Sequence, residues 1–170
     1  LFDEMWKGVS PEGTIAAHDI PAKPLDAYIY YNGDFIALEK AHLNKGWKLV
    51  DNWHPDNKAG KRNGFVDVPM LEATRPGDRL TLDFRGKAIG IFCVSGPSAG
   101  ILEYSVDGAP FKELDTFTEW SHNLYIPWVY MLETELKDTD HKLVLRISKK
   151  KNPASQGLEC HILNFVVNCR

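Results

Sequence analysis

The chain has 170 residues, enough for one domain with a substantial core and too few for two ordinary domains. Its 44% hydrophobic and 25% charged residues are typical of a globular protein. The net charge of −3 argues against a nucleic-acid partner, and no apolar run approaches the roughly 20 residues that span a bilayer.

The first 24 residues are predicted to stand apart from the rest of the chain. Leu1, Phe2, Met5 and Trp6 repeat at helical spacing, but no N-cap residue precedes them. The segment that follows, up to Pro24, contains three prolines and few large apolar residues. We therefore expect residues 1–24 to be the tail of an upstream domain with a linker, and residues 25–170 to form the main domain.

A central stretch predicts three consecutive strands. Leu80–Phe84 and Leu102–Val106 alternate apolar with polar residues, the pattern of half-buried strands. Between them, Ala88–Val94 is apolar on both faces, which favours a strand inside a sheet. Asp107-Gly108 is a hairpin signal. The sequence therefore predicts an antiparallel meander with the middle strand buried.

Further short strands are predicted on both sides of this centre. Pro69 favours an edge position for its strand, and Thr116–Trp128 reads as a long irregular loop rich in aromatic residues. The other predicted strands are a hairpin of Tyr28–Tyr31 with Phe35–Leu38, then Gly46–Trp53, Val66–Thr74, Phe111–Leu114, Val129–Leu136, Lys142–Ser148 and Leu158–Val167. About ten short strands with no interior helix predict an all-β, antiparallel β-sandwich of the jelly-roll, galactose-binding-like type.

One spacing is typical of a catalytic pair. Asp138 and His141 have the Asp-x-x-His spacing of the last block of SGNH esterases, in which the histidine is the base for a serine. The chain contains no Gly-Asp-Ser nucleophile elbow, so we expect no catalytic residue and no ester hydrolysis by this chain alone. The six histidines lack the paired spacing of a zinc site, and we expect neither a metal nor a cofactor.

The three cysteines do not predict a disulfide. Cys160 and Cys169 fall in one predicted strand, about 30 Å apart when extended, so they are not expected to bridge each other. Cys93 lies in the buried run and is expected to be a small core residue.

Two loops carry the residues that we expect to bind a ligand. Flat aromatic faces beside hydrogen-bonding groups suit a sugar, which has an apolar C–H face and a rim of hydroxyls. The candidate residues are Trp53, His54, Arg62, Trp120, His122, Asn123 and Tyr125. Trp53 or Trp120 would stack on the sugar. The alternative is that these aromatics close the end of the sandwich or pack on a neighbouring domain.

Several motifs occur together in the second part of the chain. They are Phe84-Arg85-Gly86-Lys87-Ala88-Ile89-Gly90, Val106-Asp107-Gly108, Asp140-His141-Lys142-Leu143, Phe117-Thr118-Glu119-Trp120-Ser121, Gly46-Trp47 with Trp53, Pro55, Arg62 and Phe65, and the closing Ile162–Asn168. As a set they resemble the β-sandwich domains attached to SGNH/GDSL carbohydrate esterases, and the resemblance covers about residues 25–168.

The resemblance implies a C-terminal accessory domain that follows an SGNH hydrolase domain and acts outside the cytoplasm, in the periplasm or secreted. Two functions stay open at this point, beside a third, a free-standing enzyme that uses Asp138 and His141, against which the missing serine elbow argues. The chain is a carbohydrate-binding domain, or it is a structural domain that packs on the hydrolase and shapes its cleft. An exposed strip of aromatic rings would favour binding, whereas hidden rings or a flat apolar patch would favour packing.

Overall fold

The computed structural model describes residues 4, 7, 22, 23, 26, 32–44 and 46–168. Most of the predicted tail and linker, the predicted strand Tyr28–Tyr31, and Cys169 therefore lie outside the described residues. The described elements are strands β1 (Gly33–Ile36), β2 (His42–Leu43), β3 (Lys48–Trp53), β4 (Gly60–Lys61), β5 (Val68–Ala73), β6 (Arg79–Gly86), β7 (Ala88–Ser95), β8 (Ile101–Val106), β9 (Lys112–Asp115), β10 (Leu124–Glu133), β11 (Thr139–Ile147) and β12 (Cys160–Asn168), with short 3₁₀ helices at Leu38–Lys40 and Glu119–His122.

These strands form two sheets. The seven-stranded sheet has the order β3-β5-β12-β7-β10-β4, with β1 added beside β12, and the five-stranded sheet has the order β2-β6-β11-β8-β9. Every strand pair among the described residues is antiparallel except β4 with β10. Successive strands pass repeatedly from one sheet to the other, so the predicted all-β jelly-roll sandwich is confirmed. No helix among the described residues is long and apolar enough to cross a membrane.

The main core lies between the two sheets. Leu80, Leu82 and Phe84 point inward from β6, as their alternation predicts. Strand β7 contributes Ile89, Ile91 and Cys93 to this core from its inner face. Fully buried side chains from both sheets fill it, among them Leu71, Leu102, Leu143, Leu145, Ile147, Ile162 and Phe165.

The predicted meander is wrong, although its three strands are present. β7 lies inside the seven-stranded sheet, between β12 and β10, whereas β6 and β8 both pair with β11 in the five-stranded sheet. Alternation reports which face of a strand is buried and does not report its sheet. The Asp107-Gly108 turn does join β8 to β9 as a hairpin, with both residues at positive φ.

The predicted edge position of Pro69 is also wrong. Its strand β5 lies between β3 and β12. The proline is tolerated there because the β3 ladder shifts register between Val50 and Trp53, opposite Pro69, and because β12 pairs only with residues beyond it. The predicted loop Thr116–Trp128 is shorter than expected, since β10 already begins at Leu124.

A second, smaller cluster lies on the outer face of the seven-stranded sheet. Met70, Val94, Trp53 and Tyr125 are buried there. The connection between β3 and β5, residues 54–67, packs over them and contributes Phe65 and other partly buried apolar residues. This connection is called the cover loop below. It explains why Ala88–Val94 is apolar on both faces.

Candidate functional site

Two cavities that share Asn57 form a polar trough along the edge of the cover loop. The first cavity has a volume of about 390 Å³ and is lined by Trp53, His54, Pro55, Asp56, Asn57, Glu72, Thr74, Ser98, Tyr125, Glu159 and His161. The adjoining cavity, about 430 Å³, is bounded by Asn57, Lys58, Ala59, Pro97, His122, Asn123 and Gln156. Together they are called the trough. Most of its lining is polar, and it lies where loops meet at one end of the seven-stranded sheet.

The two predicted ligand loops are brought together at the trough. Strand β4, inside the cover loop, pairs in parallel with Leu124 and Tyr125 of β10. The amide of Gly60 donates to the carbonyl of Asn123 at 2.7 Å. Asn57 Nδ2 donates to the hydroxyl of Tyr125 at 2.8 Å. The cover loop is therefore fixed against β10 by both backbone and side-chain bonds.

Trp53 forms part of the trough wall but offers no open ring face. It is 4% exposed, and its ring contacts Tyr125 edge-on at 5.4 Å and His161 at 4.3 Å between centroids. The indole Nε1 donates to Glu72 Oε2 at 3.1 Å. Of the two residues expected to stack on a sugar, Trp53 therefore has no exposed ring face, because Tyr125 and His161 already pack against it. Tyr125 is equally buried and also lines the trough.

Opposite charges meet at the inner end of the trough. Glu72 accepts from Lys48 Nζ at 2.8 Å and lies 3.4 Å from His161 Nε2. The bond from His161, followed by that from Lys48, outweighs the effect of burial and lowers the pKa of Glu72 to about 2. Burial raises the pKa of Glu159 above its ordinary value. The trough thus presents an ionised carboxylate whose charge is balanced locally.

His54 and Arg62 have different positions. His54 lines the trough, and its Nδ1 lies 2.7 Å from Asp67 Oδ1, while Lys61 Nζ lies 2.8 Å from its Nε2. These bonds tie together the two ends of the cover loop, so His54 serves the loop as well as the cavity. Arg62 is exposed and lines neither cavity of the trough.

Trp120 is the exposed aromatic residue of the second loop, with 59% of its surface accessible. It lies in the 3₁₀ helix that ends at His122, directly before the trough residues His122 and Asn123. The helix rests on buried hydroxyls. Ser121 Oγ lies 2.8 Å from the hydroxyls of both Ser95 and Thr118, and Ser95 also donates to the carbonyl of Thr116. Trp120 is therefore presented from a fixed support.

Both ring nitrogens of His141 are hydrogen-bonded within the fold. Its Nδ1 lies 2.6 Å from Asp107 Oδ2, and its Nε2 lies 2.8 Å from the carbonyl oxygen of Lys137. Burial lowers the pKa of His141, but the bonds to Lys137 and Asp107 outweigh it and raise the pKa overall. Asp138, the other member of the motif, is exposed and is not the partner of this histidine. With both ring nitrogens bonded, His141 has no free nitrogen to accept a proton from a nucleophile.

The part of the chain that the structure describes contains no cluster of three or more histidine, cysteine or acidic residues suited to a metal ion. Cys93 and Cys160 are free, buried thiols, and burial raises the pKa of Cys93 to about 12. The prediction that Cys93 is a core residue is confirmed.

Sequence reasoning missed several trough residues, among them Asn57, Glu72, Glu159, Gln156 and His161. Two of them carried a usable signal. Glu72 and His161 are polar residues inside otherwise apolar strand segments, and they lie opposite each other in the β5–β12 ladder. Polar side chains on neighbouring apolar strands indicate a shared polar site.

The fold is similar to that of a two-domain esterase active on acetylated mannans and to that of an exo-β-1,3-galactanase. A two-domain esterase active on acetylated mannans matches with a TM-score of 0.66 and 17% identity, over 99% of this chain and 44% of that chain. The structure of such an esterase with mannopentaose matches with a TM-score of 0.64 and 18% identity, over 90% of this chain and 40% of that chain. An exo-β-1,3-galactanase from Phanerochaete chrysosporium, crystallised with β-1,3-galactotriose, matches with a TM-score of 0.52 and 12% identity, over 79% of this chain and 29% of that chain.

No family model matches the chain, and no curated protein matches it. The chain spans less than half the length of the two esterase chains. At these identities the similarity shows the fold, a β-sandwich that recurs in carbohydrate-active enzymes.

Proposed function

We propose that this chain is a non-catalytic accessory domain that binds carbohydrate through the trough, in a polypeptide whose upstream part is an SGNH-type esterase domain. The observation that carries the proposal is the trough itself. It joins the two predicted ligand loops on a rigid sandwich, which is where recognition sites are commonly placed. An extracytoplasmic location follows from this proposal and stays a prediction.

The chemistry of the trough suits sugar hydroxyls. Asn57, Asn123 and Gln156 offer amide donors and acceptors in one half, and Glu72 and Glu159 offer carboxylate oxygens in the other. Contacts of this type in a shallow, solvent-filled site bind weakly, with dissociation constants on the order of micromolar to millimolar.

Trp120 supplies the ring face that Trp53 does not. Its exposed indole stands on a helix whose last residue, His122, lines the trough. A sugar chain that occupies the trough would extend over this indole. Arg62 lies outside the trough and has no assigned role in the proposal.

The alternative function is a structural domain that packs on the hydrolase and shapes its cleft. A specific observation favours it, since Phe35, Val129 and Met131 form an exposed apolar patch on the outer face of the seven-stranded sheet. This patch and the trough are separate surfaces, so the two functions are not exclusive.

The test is calorimetric titration with acetylated and deacetylated mannopentaose and with β-1,3-galactotriose, sugars chosen from the proteins of similar fold. We expect heat from at least one sugar, its loss in Trp120→Ala, and an unchanged melting temperature for that variant. Trp128→Ala is the matched control, because Trp128 is 40% exposed and lines neither cavity. Equal binding by Trp120→Ala, or no heat from any sugar, would contradict the proposal.

A further inference from the structure

The carboxylate of Glu159 differs from that of Glu72, although both line the same cavity of the trough. Glu72 accepts from Lys48 Nζ at 2.8 Å and from the Trp53 indole at 3.1 Å. His161 Nε2 lies 3.4 Å from it. Glu159 is half-buried, yet no group of the described residues forms a hydrogen bond or an ion pair with its carboxylate. The oxygens of Glu159 are therefore free to accept from a ligand.

The backbone holds Glu159 at a fixed position beside the trough. Its amide donates to the carbonyl of Ser98 at 2.8 Å, and its carbonyl accepts from the amide of Gly100 at 2.8 Å. Cys160 is buried in the core between the sheets, so Glu159 and His161, on either side of it, point to the outer face. The carboxylate is thus presented to the cavity from ordered backbone.

A half-buried carboxylate without a donor is unfavourable in the free protein. Burial weakens the hydration of the charged form, and it raises the pKa of Glu159 for this reason. Groups that carry such a cost are common at binding sites, because the ligand supplies the missing partner. The hydroxyls of a sugar are suitable donors, since hydrogen bonds to a charged acceptor are stronger than those to a neutral one.

We propose that Glu159 selects the class of sugar in the trough: its carboxylate accepts from ligand hydroxyls, so the trough takes neutral oligosaccharides and rejects acidic ones. This inference rests on the proposed function, in which the trough binds carbohydrate. Of the described residues that line the trough, three carry carboxylates, Asp56, Glu72 and Glu159, whereas Lys58 is the one lysine or arginine. A sugar carboxylate beside Glu159 would meet like charge and leave both groups without a donor.

The test compares neutral sugars with acidic sugars of the same length and linkage. Mannopentaose and β-1,3-galactotriose are each titrated by calorimetry beside a counterpart whose primary alcohols are oxidised to carboxylates. EDTA is present, so that no divalent cation bridges an acidic sugar to the protein. We expect the parent to bind a neutral sugar about tenfold or more tightly than its acidic counterpart. Glu159→Gln should bind the neutral sugar several-fold more weakly and should reduce this preference, because the amide removes a charge and adds a donor.

Glu113→Gln is the matched control. Glu113 is an exposed residue of β9 in the five-stranded sheet and lines neither cavity of the trough, so this variant should keep the preference of the parent. Equal binding of neutral and acidic sugars by the parent, or an unchanged preference in Glu159→Gln, would overturn this inference and leave the proposed function standing. Absence of heat from every sugar would contradict the proposed function, and this inference with it.

The stability of the free protein gives a second readout that needs no sugar. Because the Glu159 carboxylate has no hydrogen-bond or ion-pair partner among the described residues, Glu159→Gln should leave the melting temperature unchanged or raise it. Glu72→Gln weakens the charge-assisted bonds from Lys48 and Trp53 and should lower it. A Glu159→Gln protein that melts several degrees below the parent would show that this carboxylate holds the fold, and would refute its assignment to a ligand.

Discussion

The assignment of Trp53 to the wall and of Trp120 to the surface makes a sharp prediction for stability. Trp53→Ala removes a ring that is 4% exposed and that contacts both Tyr125 and His161. Truncation of a core tryptophan costs about 3–5 kcal/mol. The variant also loses the hydrogen bond from Nε1 to the Glu72 carboxylate. Because Glu72 keeps its bond to Lys48, we expect the total cost to stay within that range.

A loss of about 4 kcal/mol should lower the melting temperature of a domain of this size by about 8–16 °C. Trp53→Phe keeps part of the packing and loses the indole donor, so its loss should be smaller, about 1–2 kcal/mol. Trp120→Ala should stay within about 0.5 kcal/mol of the parent, since its ring is 59% exposed. Differential scanning calorimetry measures all three. A Trp53→Ala protein that melts within about 3 °C of the parent would refute this reasoning.

Four further predictions concern glycine, acid and histidine sites. In Gly96→Ala the new Cβ would lie 2.2 Å from a Tyr125 ring carbon, so we expect a loss of about 1–3 kcal/mol in urea unfolding; an unchanged midpoint would contradict it. The pKa of Glu72 is lowered to about 2, so its stabilisation is present above about pH 4.5 and is lost as the pH falls towards 2; Glu72→Gln should flatten that part of the unfolding profile. Asp107→Asn should lower the pKa of His141. Because that pKa is raised in the folded protein, protonated His141 stabilises the fold at low pH, and this stabilisation is lost as the pH rises through the pKa. An NMR titration of His141 that shows no change in the variant would count against the pairing. Finally, the chain should not hydrolyse an aryl acetate, and turnover that disappears in His141→Ala would show that this histidine is catalytic after all.

The strands were predictable to the extent that burial follows from alternation. The two-faced apolar run of β7 correctly predicted a strand inside a sheet. Its neighbours in the sheet were not predictable, because β6 and β8 have the same alternation whether they pair with β7 or with β11. Pro69 misled for a related reason. A register shift in the partner strand tolerates a proline inside a sheet, and that shift has no local signal in the sequence.

The loops of the candidate site were predicted from the sequence, but which of their aromatic residues are buried and which are exposed was not. Trp53 and Trp120 both stand beside polar loop residues, yet one is 4% and the other 59% exposed. What separates them is the cover loop, which packs over Trp53 through contacts distant in sequence, such as Asn57 with Tyr125. Long-range packing of this kind is invisible to residue spacing.

The hydroxyl cluster of Ser95, Thr118 and Ser121 orders the 3₁₀ helix Glu119–His122 before any ligand binds, which affects the entropic cost of binding at this loop. Ordering the backbone of one residue costs about 1–2 kcal/mol. Ordering a loop of four residues on ligand binding would therefore cost about 4–8 kcal/mol, at least as much as the roughly 4 kcal/mol that a millimolar complex releases. Because Ser95 and Ser121 fix the helix in the free protein, that entropic cost is met during folding. Under the proposed function, preorganisation of this loop would let a single exposed indole, that of Trp120, contribute measurable affinity.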